Sequence, residues 1–555
     1  MIFEKYKYWI STIAISFIGI IYILRVDHVI GQFVDDAWYL VLAKSIAENG
    51  TYQLISSPIQ GIQPIYPPGF PLILAGVLKL VPVLATHLWA LKYVSVLAMT
   101  GVGVTSYKYY SKICKFPNYV SFFCTLLVVL SPAFVFIATS TLMTECVFTC
   151  FLLLSLTRIE INCEKDVILN RILLEVGLLV SFAFLLRSAA LLIIIAILAR
   201  FIFLKKYRTV VKLIGVICIC ILPWVIYSRV SYPNNLQTGL HGGSIVMSYF
   251  DALRMKVAGV EGSELAKPED YLKRVNENIR SIFERDMIGM FLPSVVRGTE
   301  ESGAEVMGLG GAMKMGLDTF PFARETKYFS LFFFAFVFIG ILLQCKTRIS
   351  SIEISLVLTF LMTIIWPWLT FRFMLPFFPF LVGYLVISLQ KLPQLIQQIT
   401  KMRIDEYLIV RGVLICLLFF VFIEHVNYII IKQKNPQMIG WIDDYDAVVS
   451  LADRINKNLP VGSLIASTNP AQLYLLTGHP GISAGLKDEA WKYWRQSGLR
   501  YLANTRPVMF VPSRTGDAAN IIYKVPTMSN LMIIDLGDYK TLASNNSIDV
   551  RNSQK

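Results

Sequence analysis

Charged side chains are scarce in this sequence. Asp, Glu, Lys and Arg make up 16% of its 555 residues, whereas 55% are hydrophobic, and the mean hydropathy is +0.60. A soluble chain carries about 25% charged residues. The shortage excludes a soluble protein of this length and predicts a polytopic α-helical membrane protein.

Signatures of several other protein classes are also missing. The nine cysteines show no metal-ligand spacing, and none lies in the long polar segments that we place outside the cell, so no disulfide framework is predicted. The tail has no nucleotide-binding glycine fingerprint. No small-residue cleavage pattern follows the first apolar segment, 8–24, which we therefore expect to be a retained transmembrane helix.

Long apolar segments occupy most of the chain as far as residue 430. A helix needs about 20 predominantly apolar residues to cross a bilayer, and this length predicts about eleven transmembrane helices. The predicted spans are 8–25, 87–107, 119–138, 142–157, 168–186, 188–204, 211–229, 328–345, 351–368, 373–389 and 407–430. We therefore divide the chain into a transmembrane domain, 1–430, and a tail domain, 431–555.

The excess of positive charge is spread over short connections. The formal net charge of +14 would suit nucleic acid if it formed one patch. With the N-terminus in the cytoplasm, every short inner connection is instead basic, as the positive-inside rule requires. The basic residues there are Lys108, Lys112, Lys115, Arg158, Lys165, Arg171, Lys205, Lys206, Arg208, Lys346, Arg348, Lys391, Lys401 and Arg403. We predict a multi-pass protein of the cell membrane (plasma or inner) without a nucleic-acid partner.

This topology places the long polar segments on the extracytoplasmic side. They are the first outer loop, 26–86, the long outer loop, 230–327, in which we expect a helix at 268–287, and the tail, 431–555. The tail alternates helical patterns with short apolar runs, which predicts a small extracytoplasmic α/β domain. Its predicted helices are 441–458, 470–477 and 487–497, and its predicted strands are SLIAS (463–467), PVMFVP (507–512) and LMIIDL (531–536).

Two adjacent acidic residues, Asp35 and Asp36, open an amphipathic segment of the first outer loop, FVDDAWYLVLAKSIAENG (33–50). One of them could serve only as a helix N-cap. Two carboxylates at the edge of a membrane exceed what a cap needs, and ionisable groups at that depth are functional by default. A carboxylate there can take a proton from an attacking hydroxyl, which is general-base work.

Three further charged residues lie at the outer ends of predicted spans. Glu145 would be costly facing lipid, so we expect it to face the protein interior, near a cation or metal or as a second acid/base group; the alternative is an interfacial glutamate. Arg187 and Arg372 lie where the charge rule supplies no reason for arginine. The planar guanidinium suits a phosphate, and the alternative is contact with lipid headgroups.

The remaining candidates are a histidine and a proline-rich cluster. His241, followed by two glycines, is a candidate metal ligand or substrate contact, and Glu145 is a second candidate ligand, but no other His stands at ligand spacing. A divalent metal therefore stays open as a cofactor. The proline-rich cluster is predicted to form either a rigid lip beside the substrate or an interfacial anchor. It comprises Tyr66, Pro67, Pro68 and Gly69.

With these residues in place, the chain resembles the GT-C superfamily of glycosyltransferases that use polyprenyl-phosphate sugars, which includes the protein O-mannosyltransferases and the aminoarabinose transferase of lipid A. The matching pieces, in family order, are FVDDAWYLVLAKSIAENG with YPPGFPLILA, then STLMTE, LLRSAAL, LPWVIYSRV and FRFMLPFFPFL. The resemblance implies an inverting transfer with a first-loop aspartate as the base, and of the two we favour Asp36 over Asp35.

The resemblance also implies roles for the other charged residues. Glu145 matches the second acidic position of the family, and Arg187 and Arg372 would bind the donor phosphate. Relatives of the lipid A type have a Glu-Lys pair before the prolines, where this chain has Ile65 and Tyr66. This departure moves the phosphate contact from lysine to arginine.

The sequence therefore predicts an integral membrane glycosyltransferase. Its donor would be a polyprenyl-phosphate sugar, and its acceptor a hydroxyl of a lipid, a glycan or a protein on the extracytoplasmic side. One rival is a transporter or flippase of a lipid-linked glycan, which would show internal repeats and mid-membrane polar residues that we do not find. A second rival is a glycan polymerase or ligase of the same architecture, which sequence separates poorly.

Overall fold

The structure is a computed structural model that describes residues 2–31, 33–165, 168–231, 243, 248–257, 263–292, 326–368, 370–400, 405–486, 488–505 and 520–537. His241 and the strand predicted at 507–512 lie outside them.

Helices dominate the described residues, as the apolar patterning predicts. Each of the eleven predicted spans overlaps a helix, and the helix expected near 268–287 is present. In chain order, the helices are Ile2–Arg25, Asp35–Asn49, Gly69–Leu80, Tyr93–Lys108, Asn118–Val129, Pro132–Ser140, Glu145–Asn162, Asn170–Leu186, Ala190–Phe203, Tyr207–Ser231, Tyr249–Arg254, Pro268–Ser281, Met287–Phe291, Thr326–Thr347, Ser351–Ile365, Phe371–Met374, Phe378–Leu389, Lys391–Thr400, Leu408–Lys434, Gly440–Asn458, Pro470–Thr477 and Asp488–Gln496.

Several of these helices can cross a membrane. In the described part of the chain, five are long and apolar enough: Leu88–Ile113, Tyr207–Ser231, Tyr328–Thr347, Phe371–Gln398 and Leu408–Lys434. The pair Asn118–Val129 and Pro132–Ser140, bent by 45°, makes a sixth if it forms one broken span. The break falls where Pro132 cannot continue the preceding helix, because proline lacks the main-chain N–H. The chain is thus a multi-pass membrane protein, while the number eleven stays a prediction.

The chain folds into two compact units, each assembled from segments distant in sequence. The helical unit comprises Met1–His28, Trp89–Val225 and Pro268–Gly440. The mixed unit comprises Val29–Leu88, Ile226–Lys267 and Trp441–Lys555. In the mixed unit the tail therefore folds together with most of the first loop and the beginning of the long loop. The domain boundary proposed at residue 430 stays a prediction.

The mixed unit contains a five-stranded sheet in the order β2-β1-β3-β5-β4. The strands are β1 (Ile465–Ser467), β2 (Gly481–Ser483), β3 (Tyr501–Asn504), β4 (Asn520–Val525) and β5 (Met528–Asp535). β1 is parallel to β2 and β3, whereas β5 is antiparallel to β3 and β4. The strands predicted at 463–467 and 531–536 are confirmed as β1 and β5.

Helices cover both faces of this sheet. Ile465 and Ile533 pack with Leu451 of helix Gly440–Asn458, whereas their chain neighbours Ala466 and Ile534 pack with Trp491 and Trp494 of helix Asp488–Gln496. Successive strand residues point to opposite faces, so the continuous apolar runs of β1 and β5 supply both cores. The tail is an α/β fold, as its sequence pattern predicts.

In the helical unit a fully buried ion pair closes the end of the first helix. Lys92 Nζ lies 2.6 Å from Asp27 Oδ1, and neither side chain is exposed. The same ammonium group donates to the Asp27 carbonyl at 2.9 Å, and Lys432 donates to the carbonyls of Leu24 and Val26. The last carbonyls of a helix lack partners within it, and these lysines supply hydrogen-bond donors there. Sequence reasoning missed this pair, although a lone Lys at the start of an apolar segment was a signal.

Replacing Lys92 with Met should destabilise the protein by about 3–5 kcal/mol, because the Asp27 carboxylate stays buried without its cation. The double variant Asp27→Asn/Lys92→Met removes both charges and should recover most of that loss. Unfolding in detergent micelles, followed by intrinsic fluorescence, measures both, with the exposed Lys391→Met as control. Equal losses in the single and double variants would show that the ion pair is not what Lys92 contributes.

Candidate functional site

The acidic pair of the first loop begins helix Asp35–Asn49 in the mixed unit, and its two carboxylates have different surroundings. Asp36 is fully buried. Its Oδ2 accepts the N–H of Gly31 at 2.9 Å, and its Oδ1 accepts those of Phe33 at 3.2 Å and Ala37 at 3.1 Å. This carboxylate therefore holds the turn that leads into the helix. The N-cap residue is Val34, and no side-chain capping bond is present, so neither aspartate has the N-cap role considered for one of them.

Asp35 is only half-buried and meets the proline-rich cluster. The Tyr66 hydroxyl donates to Asp35 Oδ1 at 2.8 Å. The Tyr66 ring lies 5.0 Å from that of Tyr39, measured between centroids, and Tyr39 in turn contacts Phe70 at 5.4 Å. The structure thus brings the predicted lip and the acidic pair together through a hydrogen bond that the sequence did not reveal.

The backbone of the lip is fixed as well. The Tyr52 hydroxyl donates to the Tyr66 carbonyl, and burial raises the pKa of Tyr52 well above its usual range, so this phenol stays protonated as a donor. Pro67 and Pro68 follow directly, and Gly69 begins helix Gly69–Leu80. A proline has a fixed φ that suits the entry to a helix, so Tyr66 is held at a rigid position.

Glu145 is the first residue of helix Glu145–Asn162 in the helical unit, and it is fully buried. Its Oε1 lies 2.7 Å from Arg187 Nη1 and 2.8 Å from Arg372 Nε. The position at a helix N-terminus also favours a negative charge. The structure therefore brings together three of the predicted site residues, with Glu145 facing the protein interior rather than lipid.

Both arginines lie in short segments between longer helices. Arg187 has extended φ and ψ at the end of helix Asn170–Leu186, before helix Ala190–Phe203 begins. Arg372 lies in the four-residue helix Phe371–Met374, and Pro376 follows in the next short turn. Both arginines thus lie where helices are interrupted, not in the middle of a long helix.

Aromatic and apolar side chains surround Arg187. Its guanidinium carbon lies 5.1 Å from the ring centroid of Phe373 and 5.9 Å from that of Phe148, within the range of cation–π attraction. Arg187 also lines a small cleft together with Phe148, Ala189, Ile193, Thr359, Phe373, Pro376 and Phe377. Two guanidinium groups and one carboxylate thus lie together beside a small, mostly apolar cleft.

The segment that carries Arg372 is supported by residues that sequence reasoning missed. The Asn278 side-chain amide donates to the carbonyls of Trp366 at 2.8 Å and Ile364 at 3.1 Å, at the end of helix Ser351–Ile365. Asp286 accepts the hydroxyl of Thr370, two residues before Arg372. Asn278 and Asp286 both lie within the helix predicted at 268–287. Nothing in the sequence indicated which residues they would contact.

Burial raises the pKa of Asp286 above its usual value, so the stability of the folded protein should depend on pH. The folded protein binds this proton more tightly than the unfolded chain does, so stability should fall as the pH rises from about 4, the ordinary Asp value, through the raised pKa. Asp286→Asn removes the titration and keeps groups that can bond to Thr370 and Ser281.

The melting temperatures of wild type and Asp286→Asn should therefore be similar near pH 3.5 and diverge as the pH rises, with the variant the more stable. Differential scanning fluorimetry in detergent across this range measures the difference, with the exposed Asp405→Asn as control. A difference that does not change with pH would contradict the assignment.

The metal hypothesis finds no ligand set in the described part of the chain. No three His, Cys, Asp or Glu side chains come together there in a way that could bind a metal ion. Glu145, one of the two candidates, directs Oε1 at two guanidinium groups, and His241, the other, lies outside the described residues. The described residues therefore do not fit a metal centre at Glu145.

No protein-family model matches the sequence, and no curated protein matches it significantly. Solved structures do share its fold. The crystal structure of ArnT from Cupriavidus metallidurans bound to undecaprenyl phosphate aligns with a TM-score of 0.54 at 11% identity, over 95% of this chain and 98% of that chain. The apo state of ArnT aligns equally well, over 96% and 98%.

The oligosaccharyltransferase of Archaeoglobus fulgidus, solved in complex with Zn and sulfate, aligns with a TM-score of 0.50 at 13% identity, over 85% of this chain and 63% of that chain. ArnT is a lipid A aminoarabinose transferase, and both neighbours belong to the GT-C superfamily. At such identities the likeness is one of fold. The chain has the GT-C fold, as the sequence resemblance implied.

Proposed function

We propose that this protein is an integral membrane glycosyltransferase that moves a sugar from a polyprenyl-phosphate donor to a hydroxyl of a lipid, glycan or protein acceptor on the extracytoplasmic side. The observation that carries the proposal is the cluster in which Arg187 and the partly exposed Arg372 both pair with the buried Glu145, and in which Arg187 also lines a small, mostly apolar cleft. The GT-C fold supports it, and a neighbour of that fold was solved bound to undecaprenyl phosphate.

The cluster suits the donor because a polyprenyl phosphate combines a hydrocarbon chain with an anionic head. Guanidinium groups attract a phosphate and can donate two parallel hydrogen bonds to it. Glu145 holds both arginines in place, so their orientation is set before the donor arrives. The aromatic side chains Phe148 and Phe373 beside Arg187 suit the first isoprene units.

We assign the general base to Asp35. As the acceptor oxygen attacks the anomeric carbon, Asp35 takes the proton of the hydroxyl. The new glycosidic bond forms while the bond from the anomeric carbon to the phosphate oxygen breaks, and polyprenyl phosphate leaves with the electron pair. Attack from the face opposite the leaving group inverts the anomeric configuration.

Asp35 is preferred over Asp36, which the sequence favoured, because of what each carboxylate already does. Asp36 is fully buried and accepts three main-chain N–H groups, so protonating it would weaken the turn. Asp35 is half-buried, and the Tyr66 hydroxyl orients it through one oxygen. A base must reach its proton within about 3 Å, which an accessible carboxylate can do.

The base assignment predicts a large loss of transfer in Asp35→Asn. Purified protein is incubated with a panel of radiolabelled polyprenyl-phosphate sugars, and transfer or slow hydrolysis of the donor is measured. One donor should be turned over by wild type, and Asp35→Asn should reduce the rate by roughly 10²–10⁴-fold at unchanged melting temperature. Asp35→Glu should recover part of it.

Two further variants are compared with Asp35→Asn. Glu48→Gln changes an exposed carboxylate of the same helix and should leave the rate unchanged, whereas Asp36→Asn should lower the melting temperature because it loses one of its main-chain bonds. If Asp36→Asn abolishes transfer at full stability while Asp35→Asn retains it, the base is Asp36. If no donor reacts but lipid-linked glycan crosses liposome membranes, the protein is a transporter.

The phosphate assignment predicts weaker donor binding in Arg372→Lys and Arg187→Lys. Each variant keeps the charge but loses the planar fork, so the affinity for undecaprenyl phosphate should fall roughly 10-fold or more, as for a lost hydrogen bond to a charged group. Isothermal titration calorimetry in detergent measures it. The exposed Arg158→Lys is the control, and the uncharged polyprenol should bind far more weakly. Equal binding of polyprenol and its phosphate would contradict the assignment.

A further inference from the structure

We infer that the tail positions the catalytic base: Asn469 and Gln472 hold the strained turn that leads into Asp35. This inference rests on the proposed function for its catalytic meaning. The contacts that carry it lie within the mixed unit.

The turn before Asp35 has an unfavourable backbone. Val34 has φ 62° and ψ −53°, and the N–H of Asp35 donates to the carbonyl of Phe33 at 2.5 Å, two residues back. This is a γ-turn with positive φ, which is rare and strained. A β-branched residue is especially unsuited to it. Such a conformation costs about 1–3 kcal/mol and persists only where the surroundings over-determine it.

Asp36 supplies the first part of that constraint. Its carboxylate bonds to the N–H groups of Gly31 and Phe33 on one side of the turn and of Ala37 on the other. The position of Gly31 therefore determines where the turn, and with it Asp35, can lie. Gly31 itself has φ +86°, a conformation that L side chains rarely adopt.

Two tail residues supply the second part by donating hydrogen bonds to the carbonyls of Ile30 and Gly31. Gln472 Nε2 donates to the Ile30 carbonyl at 2.7 Å, and Asn469 Nδ2 donates to the Gly31 carbonyl at 3.1 Å. Asn469 is fully buried and Gln472 nearly so. A Cβ added to Gly31 would lie 2.7 Å from Gln472 Cγ. Both the amide contacts and the close approach thus need glycine at this position.

These contacts come from one edge of the sheet. Asn469 and Gln472 follow β1, at the carboxyl end of the parallel strands, which is where open parallel sheets usually bind ligands. Here this end binds the backbone of the first loop. The outer strand β2 contacts two further segments through its main chain. Gly481, at the amino end of β2, donates to the Ser56 carbonyl at 2.8 Å, and Ser483, at its carboxyl end, donates to that of Gly243 at 2.7 Å.

The test removes each amide donor. Gln472→Met keeps the side-chain length but also loses the oxygen that accepts from Asn469 Nδ2 at 3.3 Å, whereas Asn469→Asp keeps the side-chain oxygen that caps helix Pro470–Thr477. Both should lower kcat roughly 10- to 100-fold, as a base displaced by about 1 Å would. The KM for the donor should stay within about twofold, because the proposed phosphate cluster is untouched.

A matched control separates positioning from stability. Asn504 is also a buried tail amide, and its Nδ2 donates at 2.7 Å to the Asn530 carbonyl of the neighbouring strand. Asn504→Asp should lower the melting temperature but leave kcat unchanged. An equal fall of kcat in Asn504→Asp, or wild-type kcat in both Gln472→Met and Asn469→Asp, would overturn the inference.

Amide hydrogen exchange provides a readout that does not depend on activity. In Gln472→Met the peptide that covers residues 29–37 should exchange faster than in wild type, while in Asn504→Asp it should not. If wild type transfers no sugar, the proposed function fails, and unchanged exchange at 29–37 in Gln472→Met would independently overturn the inference.

Discussion

A carboxylate buried among apolar helices must have a cation, and this requirement organises the helical unit. Glu145 is fully buried at the start of its helix. Removing its charge from water costs several kcal/mol unless an opposite charge and hydrogen bonds compensate. Arg187 and Arg372 provide them from breaks in two other parts of the bundle. The electrostatic requirement thus fixes where three separate segments meet.

Two other buried carboxylates of the helical unit, Glu160 and Asp27, also have cationic partners. Glu160 is also buried, and its oxygens are fully engaged by Arg348 and by the main chain and hydroxyl of Ser351. Asp27 pairs with Lys92. The cluster at Glu145 differs in that one carboxylate oxygen meets two guanidinium groups, one of which also lines a small cleft.

Much of this fold follows from periodicity, and much of the site does not. Each of the eleven predicted apolar segments overlaps a helix, and the cost of a lipid-facing charge predicted that Glu145 faces the interior. Strands β2, β3 and β4 were not predicted, and two of them have only three and four residues. The bond from Tyr66 to Asp35 joins residues 31 apart, and no local rule predicts it. A β-branched residue such as Val34 disfavours a positive φ. The structure has φ 62° there because tertiary contacts outweigh this preference.

The departure at Tyr66 explains how the roles are divided. In relatives of the lipid A type, as the sequence resemblance implies, a Glu-Lys pair stands before the prolines, and its lysine can contact a phosphate. Tyr66 is neutral, so it orients Asp35 through a hydrogen bond without forming an ion pair with it. In the proposed function Asp35 is the proton acceptor, and the phosphate is bound by Arg187 and Arg372 instead of by a lysine of the first loop.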